Sequence, residues 1–282
     1  TGPLVGHPKT ATFRLTDLVG LDVMMHVNNN LYPAIPDDPY REILKGEKSN
    51  ALNEHLAERK WLGNKSGQGF YKTVMVGGKK EFHILNPETM EYEAPTKVRF
   101  DSLGAVRKVE DLGARLRQLM QFEDRAATFI KDTTYYTLAY AAYITPEIAY
   151  SILDVDNANR WGFAHEAGPF EMWDMLGVAE TVEKMEAAGL TVADWVKEML
   201  ATGHSSFYQN GCYYDFQTKQ YADKPGDRFQ ITVVGLHAAG KEIARNDSAS
   251  LLDMGDGVAL LEFHAKMNAI DGDIVAMANT AL

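Results

Sequence analysis

One nine-residue box occurs twice in this chain of 282 residues. The segment FRLTDLVGL at 13–21 returns as FEMWDMLGV at 170–178, with its phenylalanine, aspartate and glycine each 157 positions further on. In both places a helical pattern follows, and then a glycine turn that ends in an aromatic pair, Phe70-Tyr71 or Phe207-Tyr208. A shared helix-start device, Pro and Phe before an amphipathic helix, would explain the box alone. Duplication of one helical unit explains both features and sets the expected architecture.

Composition excludes several classes of protein. With 39 acidic and 28 basic residues the formal net charge is −11, so nucleic-acid binding would need a basic patch against the overall field. A single cysteine, Cys212, excludes an intramolecular disulfide framework and predicts a reducing, cytoplasmic location. The apolar stretches are far shorter than the roughly 20 residues of a membrane span. No secretory signal opens the sequence.

Hydrophobic spacing predicts a mainly α fold. The helical patterns cover 13–28, 50–62, 122–153 (interrupted at Thr145-Pro146), 170–188 and 192–201. Strand patterns are fewer. They cover 73–76 and 81–85, joined by a Gly77-Gly78 hairpin turn, and later 229–234 and 257–263.

Both ends of the sequence predict a piece of a longer protein. The first residue is Thr1 rather than Met, and 271–282 reads as a helix with no stop signal after it. Only twelve residues precede the first box, whereas helical sequence from Phe122 onward precedes the second. We therefore expect the first copy to lack its opening helices.

Two segments have the spacing of ligand sites without the residues that such sites need. GLHAAGKE at 235–242 has phosphate-loop spacing, but Glu242 stands where a Ser or Thr should hold magnesium. The segment from Asp154 to His165 begins like a calcium loop but lacks its glycine and its final glutamate. We expect a polar turn and helix cap there, and no nucleotide or calcium binding.

Catalytic residue patterns are equally incomplete. The eight histidines form no paired metal spacing, and Ser66 lacks the preceding glycine of a nucleophile elbow because Asn64 is there. Cys212, beside Tyr213-Tyr214, is expected to be buried. The sequence therefore predicts no catalytic, cofactor-binding or metal-binding residue within the chain.

The residues around both boxes resemble the sequence of the C-terminal helical domain of 3-hydroxyacyl-CoA dehydrogenases. That family has a Gly-Pro-Phe…Asp…Gly box, which GPFEMWDMLG at 168–177 matches literally and GHPKTATFRLTDLVG at 6–20 more loosely. KSGQGFYK at 65–72 resembles the family's Gly-x-Gly-Phe-Tyr ending. The resemblance implies two tandem helical domains like the C-terminal domain of 6-phosphogluconate dehydrogenase, with a small β-hairpin insertion.

The last segment is similar to a second family. GDGVALLEF at 255–263 and KMNAID at 266–271 resemble the first strand and following loop of an enoyl-CoA hydratase (crotonase) domain. Dehydrogenase followed by hydratase is the order in one class of bacterial bifunctional β-oxidation proteins. The implied domains are 1–72 (first helical domain, incomplete), 73–100 (hairpin linker), 101–245 (second helical domain) and 246–282 (start of a truncated hydratase).

The two resemblances imply a function for the parent protein rather than for this piece. In the family, a Rossmann domain binds NAD and carries the catalytic His and Glu, and a helix upstream of the matched segment carries a helper Asn. Neither that domain nor that helix has a match in this sequence. The parent is expected to be an NAD-dependent 3-hydroxyacyl-CoA dehydrogenase of fatty-acid β-oxidation, and this fragment alone to be inactive. A non-catalytic helical scaffold, or a helical dehydrogenase domain for another acid, remains the alternative.

The expected partners follow from the same resemblances. They are acyl-CoA, whose cleft the helical domains would wall, the Rossmann and hydratase domains of one polypeptide, and a second subunit. Residues that could make that subunit contact or pack in the core are Leu18, Met24, Met172, Trp173 and Met175. The tail strand at 257–263 must fray, pair with 229–234 or dock on another copy, and we expect packing wherever it is ordered.

Overall fold

The computed structural model describes residues 1–224, 231–265 and 269–281. These form two compact units, Thr1–Asp223 and Lys224–Leu282. About half of the residues are helical, and the described sheets are all three-stranded and antiparallel. Helix therefore outweighs strand, as the hydrophobic spacing predicts. In this described part of the chain, no helix is both long and apolar enough to span a membrane.

The first unit is built from ten α-helices and two small sheets. The helices are α1 (Thr12–Val19), α2 (Leu21–Ala34), α3 (Glu47–Glu58), α4 (Asp101–Val106), α5 (Leu112–Leu119), α6 (Arg125–Ile148), α7 (Ile152–Asn157), α8 (Pro169–Leu176), α9 (Val178–Ala187) and α10 (Asp194–Ala201). Short 3-10 turns cover Pro3–Val5, Pro39–Lys45 and Asn64–Ser66, and one π-turn covers Ala158–Gly162.

Each sheet begins at the tyrosine of one of the aromatic pairs. The first contains β1 (Tyr71–Val76), β2 (Lys79–Leu85) and β3 (Tyr92–Glu93), and the second contains β4 (Tyr208–Gln209), β5 (Cys212–Asp215) and β6 (Gln220–Asp223). The hairpin at Gly77-Gly78 is confirmed, with φ of 56° and 81°. The second sheet was not predicted, because its strands are too short to show a period of two. The hairpin is therefore one of two equivalent elements rather than a single insertion.

Two predicted helices are each divided by a glycine. The helix predicted over 13–28 is α1 and α2, separated at Gly20 with φ 109°. The helix predicted over 170–188 is α8 and α9, separated at Gly177 with φ 89°. A residue with a side chain is strained at such φ values, so both glycines are required by the backbone. The apolar spacing continues across each break, which is why it did not reveal the turn.

The predicted interruption at Pro146 is wrong, because α6 continues through it to Ile148. Pro146 cannot donate the hydrogen bond that the carbonyl of Ala142, four residues earlier, would normally accept. The indole Nε1–H of Trp195 on α10 donates to that carbonyl instead, at 2.9 Å. A contact 53 residues away therefore lets the helix tolerate the proline.

Two hydrophobic cores stabilise the first unit. The larger core includes side chains from α5, α6 and α8, and its members Phe170, Trp173 and Phe207 are fully buried. The smaller contains Leu21 from α2, Leu56 from α3 and Leu85 from β2, and so joins the first helices to the first sheet.

The second unit is a sheet with two helices. Its elements are α11 (Val233–Ala238), β7 (Glu242–Arg245), β8 (Ala249–Gly255), β9 (Val258–Phe263) and α12 (Gly272–Ala281). On α12, Ile274 and Met277 pack against Ala249 and Leu251 of β8. The unit begins at Lys224, upstream of the boundary predicted between 245 and 246.

The tail strand predicted over 257–263 is confirmed as β9, with a different partner. It pairs antiparallel with β8, Leu261 opposite Leu251. Of the predicted partner 229–234, residues 229–230 lie outside the described residues, while Val233 and Val234 are helical. Intrachain packing therefore occurs as expected. Among the described strands β9 lies at the edge of its sheet, and its Val258 is exposed.

Candidate functional site

The first copy of the box contains a buried carboxylate that ties α1 to the aromatic pair. Asp17 is only 2% exposed. Its two oxygens accept hydrogen bonds from the backbone N–H groups of Phe70 and Tyr71, each at 2.8 Å. Hydrogen bonds to an ionised acceptor are about twice as strong as neutral ones. We call this arrangement the aspartate clamp.

The second copy has the same clamp. Asp174, on α8, accepts from the N–H groups of Phe207 and Tyr208, each at 2.7 Å. Burial raises the pKa of Asp174 to about 6 and shifts the pKa of Asp17 in the same direction. Both carboxylates use their oxygens on backbone donors, so the clamp positions two chain segments rather than a reacting group.

The sheet that follows the clamp begins with the same backbone contact in both copies. The carbonyl of Phe70 accepts from Leu85 N–H at 2.9 Å, and the carbonyl of Phe207 accepts from Tyr214 N–H at 2.7 Å. The phenylalanine of each pair thus lies between helix and sheet.

A tyrosine on the third strand closes each sheet. The hydroxyl of Tyr92 donates to the carbonyl of Gly69, and the hydroxyl of Tyr221 donates to the carbonyl of Ser206, both at 2.6 Å. In each copy the accepting residue immediately precedes the aromatic pair. The order of elements and the hydrogen bonds around the pair agree between the two segments. This agreement favours duplication over a shared helix-start device, which would not reproduce the sheet.

A second buried carboxylate braces the clamp of the second copy. Asp156 on α7 accepts from the N–H groups of Phe170 and Glu171, at 2.9 and 3.1 Å, and from the Tyr208 hydroxyl at 2.6 Å. Burial raises its pKa to about 7. Sequence reasoning missed this role, because Asp156 lies 52 residues from Tyr208. The polar turn and cap predicted at Asp154 are confirmed by its capping box with Ser151.

The two copies differ in what covers their helices. Phe13 and Leu15 on α1 are 56% and 47% exposed, whereas the equivalent Phe170 and Met172 on α8 are 0% and 8% exposed. In the second copy α5, α6 and α7 pack against α8. We call the α1 surface formed by Phe13, Leu15, Leu18 and Val19 the open face.

The five residues predicted for core packing or subunit contact differ in exposure between the two copies. Met172 and Trp173 are buried in the larger core, and Met175 packs against it while partly exposed. Leu18 and Met24, from the first copy, are exposed. Leu18 and Met24 are therefore open to a partner, and Met175 of the second copy is so only in part.

The segments with incomplete motifs have structural roles. Gly235 lies within α11, so a helix precedes Gly240-Lys241 instead of following it, and 235–242 forms no phosphate loop. The Ser66 hydroxyl accepts from Leu62 N–H at 2.7 Å, which fixes the turn before the first aromatic pair.

Cys212 is partly exposed, so the prediction that it is buried is wrong. It lies on the short sheet of the second copy rather than in the core. Its thiol donates to Asp223 Oδ1 at 3.4 Å. That hydrogen bond raises the thiol pKa, which disfavours the reactive thiolate.

Comparison with known proteins points to one family. Residues 3–73 match the family described as 3-hydroxyacyl-CoA dehydrogenase, C-terminal domain. The whole chain is 39% identical over 284 aligned residues to a Bacillus subtilis protein named as a 3-hydroxyacyl-CoA dehydrogenase. A Rickettsia felis protein named as a fatty acid oxidation complex trifunctional enzyme is 27% identical over 169 residues, 60% of this chain. Residues 3–73 of this chain therefore resemble the C-terminal domain of 3-hydroxyacyl-CoA dehydrogenases.

These relatives are much longer than the chain. The alignments cover 35% of the Bacillus subtilis protein and 22% of the Rickettsia felis protein. A Deinococcus radiodurans protein, also named as a 3-hydroxyacyl-CoA dehydrogenase, is 39% identical over 72 residues, which are 26% of this chain and 19% of that protein. The segment that matches the family, 3–73, therefore also contains the aspartate clamp of the first copy.

Proposed function

We propose that this chain is the helical substrate-cleft and association region of an NAD-dependent 3-hydroxyacyl-CoA dehydrogenase of fatty-acid β-oxidation. The parent oxidises 3-hydroxyacyl-CoA to 3-oxoacyl-CoA. The observation that carries the proposal is the match of residues 3–73 to the dehydrogenase family, a segment whose two ends are tied together by the aspartate clamp of Asp17. The second clamp supports a tandem arrangement of two such helical domains, the second incorporating residues 101–223.

The residues described here do not fit NAD. A dinucleotide site of the Rossmann type needs a parallel sheet with a glycine-rich turn leading into a helix. The sheets described are antiparallel, and 235–242 has the opposite order of helix and glycine turn. In this proposal another domain of the parent binds NAD and carries the catalytic acid–base residues. This chain then contributes walls of the substrate cleft and association contacts.

The open face indicates where this chain associates with further helices of the parent. Its side chains are apolar and exposed, and their equivalents in the second copy are covered by α5, α6 and α7. Leaving a large apolar side chain in water costs about 1.5–3 kcal/mol. In the parent, helices equivalent to α5–α7 cover this face and complete the first helical domain. In this proposal the unit from Lys224 onward, in which β7, β8 and β9 form one sheet, begins the hydratase domain.

A non-catalytic helical scaffold is the alternative function. The clamp itself favours neither function, because it is a structural device. The similarity to proteins named as dehydrogenases favours the enzymatic parent. An activity test therefore decides between them.

The test compares this chain with the longer natural polypeptide that contains it. We expect the polypeptide to reduce NAD with 3-hydroxybutyryl-CoA, and this chain to give no turnover and no saturable heat with NAD in calorimetry. Lack of dehydrogenase activity in a folded polypeptide would favour the scaffold. Turnover by this chain alone would mean that the catalytic residues lie within it.

A further inference from the structure

A groove of about 910 Å³ lies in the first unit between the segment 3–9 and the segment 98–107, which contains α4. Its apolar lining includes Leu4 and Leu103, which pack against the larger core. Its charged lining consists of three basic residues and one acidic residue, namely Lys9, Arg99, Arg107 and Asp101. We call this surface the basic groove. Neither clamp aspartate lines it.

The three basic side chains of the groove are free to meet a partner. All three are exposed. Among the residues that the structure describes, none of the three forms an ion pair or a hydrogen bond through its side chain. Other cations of the first unit, such as Lys131 and Lys184, pair with a glutamate. A partner that reaches the basic groove therefore has no existing ion pair to break.

The basic groove opposes the overall charge of the chain. Lys97 and Lys108 flank it, so the stretch 97–108 carries four basic residues and one acidic residue in a chain of formal net charge −11. Exposed charges act over about 8 Å at physiological salt. A short acidic segment in the groove is therefore attracted by its immediate surroundings. A long nucleic acid would extend onto acidic surface, where it is repelled.

An adjoining depression extends the positive surface. It shares Pro3 and Phe100 with the basic groove and adds the Arg125 guanidinium and the Thr1 amino group. Burial lowers the pKa of the Thr1 amino group, which favours its neutral form. Arg125 is therefore the main charge that this depression contributes.

The basic charges are spread along the groove. Arg99 precedes α4 and Arg107 follows it, and the six residues of α4 span about 9 Å. Lys9 comes from the other segment. Residues two apart on an extended peptide are separated by about 7 Å. The spacing therefore suits carboxylates carried two or three residues apart on an extended chain better than the single centre of a phosphate ion.

A second copy of this chain supplies no such acidic segment. Its sequence contains no run of three acidic residues. Its adjacent acidic pairs are at 37–38, 110–111 and 123–124. One member of each pair, Asp38, Asp111 or Asp124, already caps a helical turn through its side chain. The occupant that fits the groove is therefore a different protein.

We propose that the basic groove binds a short, extended acidic segment of another protein. Carboxylates of that segment pair with Lys9, Arg99 and Arg107. Apolar side chains between those carboxylates lie on Leu4, Phe100 and Leu103. The inference rests on the charge and shape of the groove and is independent of the dehydrogenase proposal.

The first test measures fluorescence anisotropy of a fluorescein-labelled peptide of sequence EELEELEE with this chain. At about 50 mM NaCl we expect saturable binding, at least about tenfold tighter than that of the uncharged peptide QQLQQLQQ. Raising NaCl to about 300 mM should weaken binding, because salt screens exposed ion pairs. Equal binding of the two peptides, or no saturable binding of EELEELEE, would overturn the proposal.

Two pairs of substitutions locate the peptide. Arg99→Glu with Arg107→Glu should weaken binding by about tenfold or more. Lys79→Glu with Lys80→Glu makes the same change in net charge on exposed residues of β2, outside the groove, and should change binding by less than about twofold. Equal weakening by both pairs would attribute binding to net charge alone and contradict the proposal.

A neutral pair covers the case in which the glutamate pair at 99 and 107 does not fold. Arg99→Gln with Arg107→Gln removes both charges without placing new carboxylates near Asp101. It should weaken binding by about threefold or more. Unchanged binding by this folded variant would also contradict the proposal.

Other occupants give different results. Inorganic pyrophosphate at about 1 mM should leave the peptide bound, and its displacement would make the groove a small-anion site instead. A labelled oligothymidylate of about eight nucleotides should bind more weakly than EELEELEE, and tighter binding would overturn the proposal. Sedimentation velocity should give the same oligomeric state with and without the glutamate pair at 99 and 107. A change in that state would assign the groove to a second copy.

Discussion

The contact that lets α6 run through Pro146 can be measured by a double-mutant cycle. Trp195→Phe keeps most of the aromatic packing against Phe170 and Phe207, but it removes the donor to the carbonyl of Ala142. An unsatisfied buried carbonyl costs about 1–3 kcal/mol. In a Pro146→Ala background the new backbone N–H supplies the missing donor, so Trp195→Phe should cost about 1–2 kcal/mol less there.

The assay is urea unfolding of the four proteins in the cycle, followed by circular dichroism. Trp61→Phe is the matched control, because Trp61 packs in the smaller core beside Tyr92 and should cost the same with or without Pro146. A coupling free energy between positions 146 and 195 within about 0.3 kcal/mol of zero would refute the reasoning. If Trp61→Phe shows coupling of the same size with Pro146→Ala, the effect belongs to α6 as a whole and not to the Trp195 contact.

Three further predictions concern the repeated unit. Tyr92→Phe and Tyr221→Phe each remove one hydroxyl-to-carbonyl bond, so each should lower the free energy of unfolding by a similar amount, about 0.5–1.5 kcal/mol; a loss in one copy alone would contradict their equivalence. Burial raises the folded-state pKa of Asp156 to about 7, so the folded state binds this proton more tightly than the unfolded state does. The free energy of unfolding should therefore rise as pH falls from 7.5 to 5, by at most about 1.4 kcal/mol per pH unit for one proton. Asp156→Asn should reduce this slope. On the open face Leu15→Asp should change stability by no more than about 0.5 kcal/mol, whereas Met172→Asp at the buried equivalent position should unfold the second copy; similar losses in urea titrations would show that both faces are covered.

The sequence predicted the elements that have a strong local pattern. The box offset, the glycine turns and the Gly77-Gly78 hairpin were all visible in the order of residues. The positions of Asp17 and Asp174 could be paired from the offset alone. Their hydrogen bonds could not, because each aspartate meets an aromatic pair more than thirty residues away.

Three of the failures share one physical cause, which is dependence on distant partners. Pro146 should end a helix by local rules, and it does not because Trp195 satisfies the freed carbonyl. Asp156, on helix α7, belongs to the site through Tyr208, a residue of the second sheet. The strands β4–β8 are short or lack alternation, and the sheet contacts that stabilise them become visible only in three dimensions.

The most direct test of the central claim is to detect both aspartate clamps in solution. Nuclear magnetic resonance can record scalar couplings across hydrogen bonds, from the backbone amides of the two aromatic pairs to the carboxylate carbons of Asp17 and Asp174. If the two segments are copies of one unit, couplings should link Asp17 to Phe70 and Tyr71, and Asp174 to the pair at 207–208. Couplings in one copy with none in the other, in a folded protein, would contradict the duplication on which the proposed function is built.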